Sequence, residues 1–214
     1  MKKILISALF ALFSFTASQA ELGMNIGLSG TMGVFHAEAT ETESDEIATD
    51  DATGVFGYGS IFVEKDLGIF TFGVDYVPSS LESETAENVR LDKTTTDTRT
   101  SKTNSVKVEF EDLTTLYAAI NLGEHFFVKA GMIDVDVNTK ESLATGSTYG
   151  NTSLDGTVVG IGFNNDLDNG LFVRMEGQLI DFDGVTITSS NTDNKVQLKS
   201  LEGASASLSI GKSF

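Results

Sequence analysis

Apolar and polar residues alternate with a period of two along most of this chain. In the last eleven residues, Ala204, Ala206, Leu208, Ile210 and Phe214 share one face, and serine or glycine occupies most of the other. Successive side chains of a β-strand point to opposite faces, so this segment is predicted to be a strand. The same reasoning predicts eight strands, at about 22–35, 55–64, 67–77, 105–121, 125–137, 157–163, 170–180 and the segment that ends at Phe214.

The connections between these segments alternate between short and long. The short ones lie at 66–68, 122–124 and 164–170, and the long, polar ones at 36–54, 78–104, 138–156 and 181–200. This alternation predicts four antiparallel hairpins, with short turns at one end and four long extracellular loops at the other. The only proline, Pro78, falls where the third segment meets a long loop, a position at which proline is tolerated.

Two local features of the pattern need a separate interpretation. The second segment carries apolar residues on both faces, so its orientation stays open. In the fifth segment the apolar positions change phase between Met132 and Val135, which predicts a β-bulge or the point where the strand leaves a membrane.

The N-terminus has the three parts of a secretory signal peptide. Lys2 and Lys3 precede a stretch of about 13 mostly apolar residues, and small residues follow up to Ala20. That stretch is shorter than the roughly 20 residues of a membrane-spanning helix. We therefore predict a cleaved signal peptide at 1–20 and one β-barrel domain at 21–214. Any entry of this domain into a membrane requires a closed barrel, because hydrocarbon cannot satisfy the backbone of an open sheet.

Charge and composition exclude several classes of function. The chain carries 14 basic and 31 acidic residues, and loss of Lys2 and Lys3 with the signal peptide leaves 12 against 31, a net charge of −19. A nucleic-acid partner is not expected, since binding phosphates requires a basic surface. The chain has no cysteine, so thiolate metal sites and disulfides are excluded, and we predict no cofactor.

Together, the signal peptide, the four hairpins and the terminal sequence Ser209-Ile210-Gly211-Lys212-Ser213-Phe214 resemble the small outer-membrane barrels of the OmpA transmembrane-domain and OmpX type. The resemblance covers the whole mature chain. It implies an all-β, closed, antiparallel up-and-down transmembrane barrel of about eight strands, located in the cell outer membrane among outer-membrane lipid and lipopolysaccharide. It also implies that Ile210, Gly211 and Phe214 form the signal read by the barrel-assembly machinery. Lys212, where the family usually has an apolar residue, and the absence of tryptophan depart from the family pattern.

Charged residues on the polar faces are the candidate functional residues of the lumen. An eight-stranded barrel is filled by its own side chains, and buried charges of both signs are expected to pair. Two interpretations remain: a satisfied polar interior in a structural, surface-exposed protein, or a narrow porin-like channel for small ions or solutes. The predicted ion-pair network comprises Asp75, Lys107, Glu109, Glu111, Lys129, Arg174 and Glu176. A soluble lipocalin-like barrel, a third alternative, would place apolar residues inside and polar ones outside.

The segment 36–54 holds seven acidic residues and no lysine or arginine. Carboxylate oxygens suit hard divalent cations, but the spacing does not match a calcium-binding loop, so no metal site is predicted. A solvated acidic loop is the favoured interpretation, with divalent cations as its alternative partners. The weak candidates for such cations are Glu41, Glu43, Asp45, Asp50 and Asp51.

The two histidines give no indication of an enzyme. His36 falls beside a predicted outer loop and His125 in a predicted periplasmic turn, so the topology keeps them apart. General-base and nucleophilic mechanisms usually need a histidine beside a serine or carboxylate. We therefore predict that the protein is not an enzyme.

Overall fold

The computed structural model describes residues 23–43, 46–83, 86–93, 99–143, 147–167 and 170–214. The predicted signal peptide lies outside these residues. Within them, no helix is long and apolar enough to cross a membrane. The strands are β1 Met24–Glu43, β2 Glu46–Asp66, β3 Phe70–Tyr76, β4 Leu81–Glu82, β5 Ala86–Lys93, β6 Arg99–Leu122, β7 Phe126–Ser142, β8 Thr152–Asp166, β9 Leu171–Phe182, β10 Val185–Thr188 and β11 Lys195–Ser213.

Eight strands form a closed antiparallel ring. Its order is β1-β2-β3-β6-β7-β8-β9-β11, and β11 pairs again with β1. The short strands β4 and β5 pair with β6, and β10 pairs with β11, so they extend the wall without adding to the ring. The predicted closed up-and-down barrel of eight strands is confirmed.

The two ends of the barrel differ in their connections. One end, called here the terminal end, holds both the first and the last described strand termini, and the amide of Phe214 donates to the carbonyl of Met24 at 2.8 Å. Gly68 and Gly123 turn the chain there with φ values of 86° and 77°, which favour glycine. The opposite end, called the loop end, holds the long connections. Phe214 therefore closes the ring beside the first strand, as predicted.

The long connections contain more β-structure than the sequence predicted. The segment 36–54, predicted to be a loop, continues β1 and β2 as a paired hairpin up to Glu43 and Glu46. Strand β6 begins at Arg99 and β8 at Thr152, earlier than predicted. For the segment 36–54 the prediction was wrong because most side chains of this two-stranded extension, such as those from Ile47 to Val55, are exposed. Its residues therefore lack the apolar alternation used to recognise strands.

Large apolar side chains cover the outside of the barrel near the terminal end. Leu28 is 58% exposed, Leu208 58% and Ile210 53%, whereas their sequence neighbours Ser209 and Gly211 are buried inside. This outward apolar belt agrees with a transmembrane barrel and disagrees with the lipocalin-like alternative. On β2, Phe62 and Glu64 point inward and Ile61 outward, which settles the orientation that the sequence left open.

A β-bulge lies in β6 and not in β7. Thr114 pairs with Asp134 but Glu111 pairs with Asp136, so β6 carries one extra residue. Asp112, with a φ of 54°, sits inside this bulge and accepts a hydrogen bond from the Tyr76 hydroxyl at 2.9 Å. The bulge reverses the alternation of β6 on its loop-end side.

Of the two causes predicted for the change of phase in β7, the β-bulge is wrong, whereas the outward apolar residues do end at Met132, as expected where a strand leaves a membrane. Phe127, Lys129, Ile133, Val135 and Val137 are all buried, so β7 keeps one phase throughout. The apolar positions change face because the lumen itself becomes apolar towards the loop end. The buried residues of that apolar layer are Val77, Leu113, Ile133, Val135, Val137, Leu154, Val158, Ile180, Phe182 and Leu201.

The wall has a seam between β2 and the chain that follows β3. Pairing of β2 with β3 ends at Ile61 and Tyr76, and β4 and β5 pair with β6 alone. The amide of Val77 donates to Leu113 on β6, so the next backbone position, Pro78, is the one directed towards β2. Proline has no N–H to donate, which explains why the β2–β3 ladder stops there.

Candidate functional site in the barrel lumen

The half of the lumen nearest the terminal end is organised around Arg174 and Glu64. The two guanidinium nitrogens of Arg174 donate to the two carboxylate oxygens of Glu64 at 2.6 and 2.9 Å. Glu64 is 2% exposed and also accepts from the hydroxyl of Tyr117 at 2.7 Å and the amide of Asn25 at 3.1 Å. Four strands, β1, β2, β6 and β9, thus converge on one carboxylate. A buried charge so fully hydrogen-bonded avoids most of the cost of leaving water.

A second ion pair joins Lys129 on β7 to Glu176 on β9. Lys129 and Glu176 are 8% and 7% exposed, and the ammonium of Lys129 lies 4.5 Å from the ring centroid of Tyr117. Asp75, on β3, accepts a hydrogen bond from the hydroxyl of Ser60 at 2.9 Å. The lumen therefore holds charges of both signs, held by partners on different strands.

Three phenylalanine rings surround the guanidinium of Arg174. Its central carbon lies 5.2, 5.1 and 5.2 Å from the ring centroids of Phe62, Phe127 and Phe172. Rings at this distance attract a cation through their negative faces. They also reduce the access of water to the Arg174 side chain, which is 11% exposed, and a lower local dielectric strengthens the electrostatic attraction of the salt bridge.

Inward-facing glycines make room for these rings. A Cβ atom at Gly211 would lie 2.3 Å from the ring of Phe172, and one at Gly27 2.3 Å from the ring of Phe62. Both distances are far below van der Waals contact. The packing around Arg174 thus depends on the absence of side chains on neighbouring strands.

Two cavities flank this cluster. One of about 560 Å³ opens at the terminal end and reaches Glu64 and Arg174, and one of about 20 Å³ lies deeper, beside Asp75 and Lys129. Arg174 and Tyr117 line both cavities and so form the wall between them. The smaller cavity has room for about one water molecule.

The structure brings together four of the seven residues predicted for the lumen network. Lys129, Glu176 and Arg174 are in ion pairs there, and Asp75 lies beside the smaller cavity. Whether this network has a functional role stays a prediction.

Lys107, Glu109 and Glu111 were wrongly placed in the lumen. The bulge at Asp112 turns them to the outer face, while Val108 and Phe110 pack inward against the apolar layer. Lys107 pairs with Glu82 at 2.6 Å, and this contact lowers the pKa of the Glu82 carboxyl. Glu109 pairs with Lys140, whose pKa is raised by that hydrogen bond.

Sequence analysis missed Glu64, Tyr117 and Asn25. Glu64 is the last residue of the second predicted segment, 55–64, whose orientation stayed open. Its alternation with Phe62 and Ser60 was the available signal, but only the pairing of β2 with β1 decides which face is inside.

Three of the weak metal candidates, Glu41, Asp50 and Asp51, lie on the hairpin formed by β1 and β2. Asp45 lies outside the described residues, as does the side chain of Glu43. Asp50 accepts a hydrogen bond from the amide of Asp51, and the two carboxylates leave β2 on opposite faces. Over the described part of the chain, no group of three acidic or histidine side chains is arranged to hold a metal ion.

Two other charged groups at the loop end have shifted pKa values. The ammonium of Lys199 donates to Glu38 at 2.8 Å and lowers the pKa of that carboxyl. Burial, together with the neighbouring Asp155, raises the pKa of Asp134. Asp134 lies beyond Met132, the last outward apolar residue of β7, so this acidic pair borders the belt.

The histidines lie at opposite ends of the barrel. The Nδ1 atom of His36 is 3.1 Å from the hydroxyl of Thr53 near the loop end, and Nδ1 of His125 is 3.2 Å from the carbonyl of Asn164 at the terminal end. They share no site, in agreement with the predicted topology.

Two of the three residues of the predicted assembly signal face the outside of the barrel. Ile210 and Phe214 are 53% and 50% exposed on the belt side, and Gly211 faces the lumen. The ammonium of Lys212 lies 5.6 Å from the ring centroid of Phe214. Recognition of these residues by an assembly machinery stays a prediction.

No protein-family model matches the chain, and no curated protein sequence matches it. Among solved structures, the outer membrane protein OprG from Pseudomonas aeruginosa superposes with a TM-score of 0.53 at 11% identity, covering 91% of this chain and 97% of OprG. The outer membrane protein AlkL, solved in lipid bilayers, gives a TM-score of 0.54 at 11% identity, covering 94% and 95%. The chain therefore has the fold of a small eight-stranded outer-membrane β-barrel protein.

Proposed function

We propose that this protein is an integral outer-membrane barrel with a sealed lumen, and that its role is structural and surface-exposed. The observation that carries the proposal is the division of the interior into two closed layers. The salt bridge between Arg174 and Glu64 crosses the polar layer, and ten buried apolar residues fill the layer on its loop-end side.

The outer belt supports residence in a membrane. From Ile26 to Val34 the outward residues of β1 are apolar or glycine. At a rise of about 3.3 Å per residue and a tilt of about 40°, this span covers about 20 Å, close to the roughly 25 Å apolar band of outer-membrane barrels. A cleaved signal peptide at 1–20 is part of the same proposal.

The alternative, a narrow channel for small ions or solutes, would require both layers to open. An ion entering the 560 Å³ cavity meets the Arg174–Glu64 pair first and an apolar layer next. In the polar layer the salt bridge separates this cavity from one with room for about one water, and the apolar layer offers an ion no polar group, so the sealed barrel is favoured.

Planar-bilayer recording of the refolded mature protein tests the proposal. We expect no conductance steps from the wild type. We expect none from Arg174→Gln either, because the apolar layer remains. A heat-modifiable gel shift on the same sample shows that the barrel is folded. Regular steps from folded wild-type protein would reject the sealed barrel in favour of the channel.

A second candidate function is favoured by the seam at Pro78. Tyr58 on β2 and Val77 and Leu81 on the opposite side flank the seam, and all three contact or belong to the apolar layer. An apolar layer beside an unpaired stretch of wall would suit the sideways passage of small apolar molecules between the loop end and the membrane.

A disulfide across the seam tests this second candidate, since the chain has no native cysteine. The pair Gly59→Cys with Pro78→Cys is expected to block transfer of a small apolar dye into vesicles, and reduction is expected to restore it. The control pair Gly177→Cys with Ala206→Cys joins strands that are already paired and is expected to change nothing. Equal transfer with the seam locked would reject sideways passage.

A further inference from the structure

One edge of β2 has no paired strand, among the described residues, over the part that projects beyond the belt and over the adjoining part within the belt. Residues Glu46–Ser60 pair with β1 on one side, and on the other side the described strands offer them no partner. Every other long strand of the ring has its neighbours on both sides for most of its length within the belt. This edge therefore presents an open row of backbone groups.

The register shows which backbone groups face outward. Met24 exchanges both backbone hydrogen bonds with Phe214, which directly follows β11. The N–H and C=O groups of even-numbered residues of β1 therefore point to β11, and those of odd-numbered residues point to β2. The β1–β2 register runs without a shift, with Ala39 opposite Asp50 and Ala37 opposite Ala52. Bonds to β1 thus come from even-numbered residues of β2. The N–H and C=O groups directed to the free edge belong to Ile47, Thr49, Asp51 and Thr53.

A side-chain contact agrees with this assignment. The amide of Asp51 donates to the carboxylate of its own neighbour Asp50 at 3.0 Å. An amide in a fully paired ladder would donate to a strand. Asp50 thus supplies a local acceptor where a strand partner is lacking.

This edge lacks most of the devices that keep sheet edges apart. From Glu46 to Ser60 the sequence contains no lysine and no proline, and the pairing with β1 shows no bulge. Its protection is negative charge alone. The stretch from Ile47 to Thr53 is about 20 Å long, enough for an added strand of about seven residues.

The negative charge of the β1–β2 hairpin indicates which kind of strand could pair with this edge. The segment 36–54 carries seven acidic residues and no lysine or arginine. A second copy of the chain would bring the same charges edge to edge and be repelled. A basic strand would gain both backbone hydrogen bonds and electrostatic attraction.

We propose that the free edge of β2, over Ile47–Thr53, binds an extended polypeptide segment rich in lysine or arginine by β-strand addition. The segment would accept and donate hydrogen bonds at the four odd-numbered residues. Its basic side chains would lie beside Asp50 on one face of the sheet or beside Asp51 on the other. This inference is independent of whether the lumen is sealed.

The test uses the full mature barrel in detergent micelles and three labelled nine-residue peptides. The probe alternates lysine with threonine or valine. The second peptide carries N-methyl groups on alternate residues, which removes the donors on one edge and keeps the charge. The third replaces lysine by glutamate. Fluorescence anisotropy is expected to show binding of the probe and at least tenfold weaker binding of the other two.

Two variants of the barrel locate the contact. Thr53→Pro removes one N–H of the free edge, leaves the backbone bonds to β1 in place and is expected to weaken probe binding at least tenfold. It also removes the contact of the Thr53 hydroxyl with His36, as Thr53→Val does. Thr53→Val keeps the N–H and is expected to bind as the wild type does. A heat-modifiable gel shift confirms that both variants are folded.

Three results would overturn the inference. These are no binding of the probe to the folded wild type, equal binding of the N-methylated peptide, or equal binding to folded Thr53→Pro and Thr53→Val. The last two would indicate attraction by charge alone. Loss of hydrogen exchange at the amides of Thr49 and Thr53 on adding the probe would support strand addition directly.

Discussion

Arg174 and Glu64, 110 residues apart in the sequence, form a bidentate salt bridge across the lumen. Their side chains are 11% and 1% exposed, so water would solvate either charge only weakly if its partner were removed. A buried pair of this kind contributes less to stability than it costs to break, because removal of one partner leaves an uncompensated charge.

The salt bridge leads to a prediction about single and double variants. Arg174→Gln leaves Glu64 charged and buried, so we expect it to lower the free energy of unfolding by about 3–5 kcal/mol. The double variant Glu64→Gln with Arg174→Gln removes both charges and is expected to recover at least half of that loss. Urea unfolding in lipid vesicles measures both. A double variant no more stable than the single one would contradict a pairwise interaction.

The glycines beside the phenylalanine rings give a second prediction. Gly211→Ala places a Cβ against the ring of Phe172, and we expect a loss of about 1–3 kcal/mol from overpacking. Gly177→Ala is the matched control, because a Cβ at Gly177 meets nothing within 4 Å. Unfolding of the two variants under the same conditions is the measurement. Similar stability of both would show that the ring moves freely.

The bulge in β6 gives a third prediction. Asp112 has a φ of 54°, a region that asparagine tolerates and valine does not. We expect Asp112→Asn to be close to neutral and Asp112→Val to cost about 1–2 kcal/mol. Deletion of Asp112 removes the extra residue and should turn Glu109 and Glu111 inward, so we expect that variant not to fold. Heat-modifiable gel shifts compare the three, and a folded deletion variant would count against the role of the bulge.

Asp134 gives a prediction about pH. Its pKa is raised in the folded barrel by burial and by Asp155, so the folded state holds the proton more tightly than the unfolded chain does. The sign follows from linkage: the folded state is penalised as pH rises above the ordinary aspartate pKa of about 4.

We therefore expect Asp134→Asn to be more stable than the wild type at pH 7 and to lose that advantage as the pH falls below about 4. Asp193→Asn, which removes an acidic side chain at an exposed position of the loop end, serves as the control. Unfolding measured from pH 3 to pH 8 checks the trend. An advantage of Asp134→Asn that persists at pH 3 would rule out the proton linkage.

Particular residues show why much of the barrel was predictable. The alternation around Leu208 and Ile210, or around Phe126 and Val128, reports a wall with lipid on one side and a small polar lumen on the other. At Ile133 and Val135 the lumen is apolar, and the rule that apolar residues face outward fails there. The alternation depends on the polarity of the lumen and of the outer surface, and it does not report the direction of the backbone by itself.

Sequence alone determined the period-two strands, the alternation of short and long connections and the closing position of Phe214, because each depends on local side-chain polarity and turn residues. Tertiary structure alone decided that Glu64 meets Arg174, that the bulge at Asp112 turns Glu109 outward, and that one edge of β2 has no partner among the described strands over Glu46–Ser60. These features depend on register between strands distant in the sequence, and a shift of one residue there moves every side chain to the other face.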